Sequence, residues 1–318
     1  MLGKIQNQYN GPDMEISQVL LTPTRKLQIL RDDKLCFGMG TKIRKALGLL
    51  DFLRKNQIEK IRLVGSLHSN FLSAYSFLFS ISGFNVEVFA YHRNANLRSA
   101  NSKIIRNYAS EIFLFSTRKE CLDSLGKDSE ENEFLVPEYG FHHSALLKLN
   151  DFWEMVKNRI AKPTLLFLEI GSGLSFISAA SFFKNTSVKV VGILIGERKD
   201  RFLKKLPLYL KSIHLTETDL GEYILLEPEQ NKKFGEVNEE LIRKTKEVYH
   251  MTGIMLEPIY STKSWKCMED FSDPGKNFFL SQEDKESDWL YLHQGGLLNH
   301  LDRILDPKAP KPAGEHLV

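Results

Sequence analysis

Cysteine is scarce in this chain. Its 318 residues include three, Cys36, Cys121 and Cys267, odd in number and far apart. They form no CxxC pair for zinc and no disulfide framework, which points to a reducing compartment. A basic stripe is also missing. Lys and Arg number 43 against 40 Asp and Glu, a net charge of +3. A protein that neutralises nucleic-acid phosphates would carry a clustered excess, so nucleic acid is not expected as a partner. Long apolar runs are absent too. The greasiest stretch, Phe71 to Phe84, is broken by four serines and a glycine. It is shorter than the roughly 20 apolar residues of a membrane span. The polar start, Met1 to Pro12, has no apolar leader core. The expectation is a soluble, cytoplasmic protein without membrane partners. Hydrophobic residues make up 42% of the chain and charged ones 26%, a mix that supports a packed core and excludes bulk disorder.

Short β-type runs alternate with helical stretches. Strands are predicted at 61–64, 86–91, 111–115, 134–136, 164–170 and 188–195. Helices are predicted at 70–81, 97–108, 118–125, 144–160, from 175, and at 200–213. This alternation predicts βαβ units and parallel sheets. The run from Thr164 to Ile170 is apolar almost throughout, as in a strand covered on both faces. Glu239 to Thr252 reads as an amphipathic helix stopped by Gly253. Ser281 to Asp288 reads as a charged loop, and Asp306 to Val318, with three prolines, as a loose tail.

Four segments could carry chemistry. Gly38-Met-Gly-Thr-Lys-Ile-Arg-Lys45 leads glycines into a helix that opens with Lys42, Arg44 and Lys45. Cations in a first helical turn oppose the helix dipole, which makes sense if an anion sits there. A solvated basic helix start would look the same. Gly65-Ser-Leu-His-Ser-Asn70 follows a strand and opens a helix, where ligands bind in open α/β sheets. Simple capping by Ser69 or Asn70 is the plainer reading. Gly171-Ser172-Gly173-Leu174-Ser175 lies between a strand and a helix and could cradle a phosphate on backbone N–H groups. It lacks the Gly-Lys-Ser/Thr of a Walker loop, and a ligand-free turn is equally open. Glu257-Pro-Ile-Tyr-Ser-Thr-Lys263 is by itself a turn. The pair His142-His143 has no metal-site spacing, and no metal is expected.

Taken in order, these segments resemble the fold-type-II pyridoxal-phosphate enzymes, most closely the branch of 1-aminocyclopropane-1-carboxylate deaminase and D-cysteine desulfhydrase. The resemblance spans about Leu20 to Leu298. Leu21-Thr-Pro-Thr and Leu30-Arg-Asp-Asp33 are similar to the family's Thr-Pro-Leu and Lys-Arg-Asp-Asp. Gly40-Thr-Lys-Ile-Arg-Lys45 resembles Gly-Asn-Lys-x-Arg-Lys, and Gly65 to Asn70 resembles Gly-Gly-x-Gln-Ser-Asn. Thr252 to Lys263 resembles Thr-Gly-x-x-x-Asp-Pro-Val-Tyr-Thr-Gly-Lys, and His293-Gln-Gly-Gly-Leu297 resembles His-Thr-Gly-Gly-Leu.

The resemblance implies an α/β fold of two open, mainly parallel sheets with flanking helices, like the tryptophan synthase β chain, with pyridoxal 5'-phosphate between two domains. Residues 1–45 with 162–318 would form the large domain and 46–161 the small one. Lys42 would hold the cofactor covalently. Asn70 would bond its O3′ oxygen. Gly171, Ser172, Gly173, Leu174, Ser175 and Lys45 would hold the phosphate. Ser261 would face the ring nitrogen. Lys42, Ser69 and Tyr260 would be the catalytic group, and His68, Ser69, Asn70 and Tyr260 would meet a small amino-acid substrate. A homodimer is implied. Thr41, His68, Gln294 and Leu174-Ser175 depart from the family pattern, as does the stretch from Pro137 to His143. The family's deaminases carry Glu at the position of Ser261 and its desulfhydrases Thr. The serine leans toward β-elimination, with cyclopropane ring opening or a catalytically silent cofactor-binding protein as the alternatives.

Overall fold

The computed structural model describes residues 14–92, 98–125, 132–229, 235, 237–276 and 281–305; the expected tail from Asp306 and the polar start lie outside them, and from 302 on only the backbone is described. A sheet of six strands is built from β1 (Ile16–Thr22), β2 (Arg25–Leu30), β7 (Thr164–Ile170), β8 (Val188–Leu194), β9 (Tyr223–Leu226) and β10 (Asp288–Leu292). Its order is β1-β2-β10-β7-β8-β9. Only the hairpin pair β1–β2 is antiparallel. The second sheet holds β3 (Lys60–Ser66), β4 (Asn85–Tyr91), β5 (Glu111–Phe115) and β6 (Glu133–Leu135), all parallel, in the order β5-β4-β3-β6.

The helices that bear on the site are α1 (Thr41–Lys55), α2 (Asn70–Ile81), α3 (Ala100–Tyr108), α4 (Arg118–Asp123), α5 (His143–Lys157), α6 (Leu174–Phe182), α7 (Lys199–Ser212), α8 (Glu239–Thr252), α9 (Ser261–Ser272), α10 (Gln282–Glu286) and α11 (Leu298–Leu305). The predicted strands and helices are all present, within a few residues at their ends, where the residues are described. The stretch read as a charged loop differs. Ser281 caps α10 with a reciprocal Ser281–Asp284 pair, and β10 starts at Asp288. Local side-chain bonds there make a helical turn from polar residues.

Every residue of β7 is buried. Leu166, Leu168 and Ile170 join one apolar cluster with Ile43 of α1 and Phe176 of α6. Leu165 and Phe167 join another with Trp265 and Phe271 of α9. Alternate side chains thus serve opposite faces, the requirement of a strand roofed twice. Helix α1 runs without a break across positions 45 and 46, so a domain boundary there falls inside a helix and not in a linker. Among the described residues no helix is long and apolar enough to cross a membrane.

The strand orders place the site. In the six-stranded sheet the chain moves outward from β7 through β8 to β9, then returns to β10 on the other side of β7. In the four-stranded sheet it runs from β3 through β4 to β5 and returns to β6 beside β3. Each return opens a crevice at the carboxyl ends of two neighbouring strands. Residues 171–173 and 293–296 lie at the first crevice, and residues 66–69 and 136–142 at the second.

Candidate active site

Two glycine turns bring Lys42 to the first crevice. Thr41 N donates to Gln294 O (3.1 Å), and Gly296 N to Gly38 O (2.7 Å). Gly38, Gly40, Gly295 and Gly296 all have positive φ, a backbone that glycine adopts without steric cost. The Lys42 Nζ lies 5.8 Å from the centroid of the Tyr260 ring. The same ring comes to Gly171, where an added Cβ would sit 3.4 Å from Tyr260 Cε1. Lys42, Tyr260 and the Gly171 turn are therefore brought together.

Burial holds the Lys42 amine below its ordinary pKa, while the carboxylates of Glu257 and Glu169 oppose that shift. Lys45, one turn on, is pushed down to about 7 by burial and by Lys42. Burial is what depresses Lys42, not a neighbouring cation. The Arg44 charge is spent on Asp32. Arg44 Nη2 and Nε donate to the two carboxylate oxygens at 2.7 and 2.8 Å, and the Thr41 hydroxyl adds a third bond at 2.9 Å. Part of the anion demanded by the basic helix start is thus internal.

The Gly171-Ser172-Gly173 turn passes into α6 through Gly173 in the left-handed region. The first N–H groups of a helix have no partner within it. Leu174 and Ser175 are both buried, and among the described residues the Ser175 hydroxyl has no hydrogen-bond partner. A buried orphan hydroxyl beside free helix N–H groups is a donor set suited to an anion such as phosphate.

At the second crevice Ser69 caps α2, its hydroxyl accepting from Leu72 N at 3.1 Å. The capping role anticipated as the plainer reading is real. Asn70 is buried beside Gly296, so the two sheets meet at this residue. The His68 ring bonds through Nδ1 to the Ser99 hydroxyl at 2.8 Å. His142 caps α5, and His143 bonds Ile213 O at 3.0 Å.

Ser261 opens α9 and is knotted to Glu257. Its hydroxyl accepts from Glu257 N (2.7 Å) and donates to Glu257 O (3.1 Å), and its own N–H reaches Glu257 Oε1 (2.9 Å). The Glu257 carboxylate also accepts from the N–H groups of Ile259 and Tyr260. Burial nevertheless pushes it up to about 7, against the pull of those bonds. Glu169 was not singled out. Its carboxylate accepts from the Tyr291 hydroxyl and from Gln294 Nε2 (2.9 Å). A charged residue inside the otherwise apolar run 164–170 was the available signal.

Solved structures of other proteins share this architecture. An ACC deaminase homologue matches at TM-score 0.72 and 17% identity, covering 95% of this chain and 91% of its own. This is its fold. A hydrogen sulfide-producing enzyme from Fusobacterium nucleatum matches at 0.61 and 15%, covering 89% and 95%. Maize serine racemase matches at 0.60 and 12%, covering 93% and 94%. No family model and no curated protein sequence matches. The expected class, two open and mainly parallel sheets with flanking helices, is the observed one.

Proposed function

We propose that the chain is a pyridoxal 5'-phosphate enzyme that removes a β-substituent from a small amino acid, releasing a 2-oxo acid and ammonia. One observation carries the cofactor: a desolvated Lys42 amine lies over the Tyr260 ring, which in turn reaches the glycine turn leading to Ser175, whose hydroxyl has no partner among the described residues. Solved relatives of the fold include a pyridoxal 5'-phosphate-dependent aspartate racemase, at TM-score 0.60 and 14% identity. The two domains would be 1–45 with 162–318, and 46–161.

Lys42 would hold the cofactor's aldehyde carbon, and the lowered pKa keeps part of its amine in the nucleophilic form. Gly171 to Ser175 and Lys45 would take the phosphate. Asn70 would bond O3′, and Ser261 would face the ring nitrogen. When bound, the cofactor supplies an electron sink for the pair left at Cα. The protein's own groups do the rest. Lys42 takes the Cα proton, Tyr260 covers the reacting carbons, and His68, Ser69 and the start of α2 receive the substrate carboxylate. The assembly is proposed as a cytoplasmic homodimer.

The test is covalent. Protein loaded with the cofactor and reduced with borohydride should carry the label on Lys42 in a peptide map. Lys42→Ala should lose the label and turnover. Lys45→Ala should weaken cofactor retention and keep the label. A label on Lys45, or none, overturns the reading.

A further inference from the structure

Asn101 lies wholly buried on α3, at the hub of a polar cluster that joins three helices. Its Nδ2 lies within hydrogen-bond distance of three acceptors that share its two protons, His68 O (3.0 Å), Asn70 Oδ1 (2.9 Å) and Asn299 Oδ1 (2.8 Å). Its Oδ1 accepts from the Ser73 hydroxyl at 2.6 Å. Asn299 belongs to α11, which follows the six-stranded sheet. Asn70 and Ser73 belong to α2, which follows β3 of the other sheet.

The two edges of an amide are told apart only by their partners. Here one partner settles the matter. The His68 carbonyl can only accept, so Asn101 must present its NH2 group. Asn70 must then answer with its oxygen. Its own NH2 is left pointing away from Asn101, toward Gly296, where an added Cβ would lie 2.9 Å from Asn70 Nδ2. Among the described residues no acceptor meets that NH2, although Asn70 is buried.

We propose that Asn101 is a positioning residue that fixes the Asn70 amide with its N–H edge toward the cofactor oxygen. The inference rests on the pyridoxal-phosphate reading above. A donor at the ring oxygen competes with the chromophore's own proton for that oxygen's lone pairs, so the proton leaves at lower pH. An acceptor in the same place does the reverse. Asn101→Asp has no donor to offer. Asn70 would turn to give its NH2 to the new carboxylate, and its oxygen would face the cofactor. Asn101→Ala would leave Asn70 free to turn.

The readout is the pH midpoint of the visible band of the Lys42-bound cofactor, followed without turnover. Asn101→Asp should raise that midpoint by about one unit, and Asn101→Ala by less. Asn299→Ala should leave it unmoved, because the His68 carbonyl still orients Asn101. An unchanged midpoint in Asn101→Asp, with the cofactor on Lys42, overturns the inference. Wild-type protein without a Lys42-bound band defeats the cofactor reading instead. Neutron diffraction of wild-type protein decides the orientation without any substitution or cofactor. Deuterons on the Asn70 atom facing Asn101 would overturn the inference, and their placement toward Gly296 would support it.

Discussion

Gly40 and Gly295 cross back to back. A Cβ on Gly40 would lie 2.1 Å from Gln294 O and 2.8 Å from Gly295 Cα. No rotamer relieves a backbone clash of that size. Gly253, the stop of α8, has a similar positive φ with nothing near the added carbon. Gly40→Ala should therefore cost about 3 kcal/mol or more, and Gly253→Ala about 1 kcal/mol, the strain of the conformation alone. Urea denaturation of the two variants measures the difference. Equal losses would mean that the crossing is looser than described.

The Arg44–Asp32 pair is buried at both ends, with side-chain exposures of 7% and 2%. The guanidinium also lies 4.2 Å over the Phe152 ring. Removing one partner of a buried pair strands the other charge, at about 3–5 kcal/mol. Asp32→Ala should lose that much in chemical unfolding. Asp32→Ala with Arg44→Met should recover a large part, because the orphan charge is gone. A double variant as unstable as the sum of the singles would refute the pairing argument.

Much of the architecture was readable in the residues because apolar runs at regular spacing can only be parallel strands roofed by helices. The strands read at 164–170 and 188–195 and the Asn70 helix followed from that. The β1–β2 hairpin did not: Lys26-Leu27-Gln28-Ile29 does alternate polar and buried apolar residues, but the alternation spans only a few positions and its partner strand is largely half-buried or exposed. Lys42, Ser69 and Asn70 stood out because strand-to-helix turns are few. The partners of those residues did not. Whether Arg44 meets a ligand or Asp32, and whether the Ser261 hydroxyl faces outward or back to Glu257, depends on contacts across turns that no spacing rule encodes. Asn101 meets Asn299 across 198 positions, for which one sequence offers no signal.

The pH dependence of stability should turn over near neutrality. Lys45 is depressed from 10.5 to about 7. Between those values the unfolded chain binds more protons, so stability rises with pH through that window. Below it both states are protonated and the folded state bears the full cost of the buried charge. Glu257 is raised from 4.5 to about 7. Between those values the folded state binds more protons, and stability falls as pH rises. The cofactor-free protein should thus gain stability on either side of pH 7 as far as these two groups decide. Lys45→Met should flatten the upper limb by up to about 1.4 kcal/mol per pH unit. Parallel wild-type and variant curves above pH 7 would show that Lys45 is not desolvated.

The Ser261 hydroxyl already has two partners, and this sets what else it can do. Its proton goes to Glu257 O, and one lone pair takes the Glu257 N–H. One lone pair remains, so in this arrangement the hydroxyl can accept and has no proton to give. A ring nitrogen facing it would be met without a counter-charge, and the electron sink would be shallower than one backed by a carboxylate. A leaving group such as sulfide departs from a modestly stabilised pair at Cα. Opening an unactivated three-membered ring needs more. Wild-type protein should therefore eliminate from D-cysteine faster than it opens 1-aminocyclopropane-1-carboxylate. Ser261→Glu should shift the cofactor spectrum and slow elimination. Ser261→Ala should leave the buried Glu257 N–H unsatisfied and cost about 1–3 kcal/mol in stability. Faster ring opening than elimination in the wild type would defeat the argument about the sink. A Ser261→Ala variant as stable as wild type would defeat the argument about the knot.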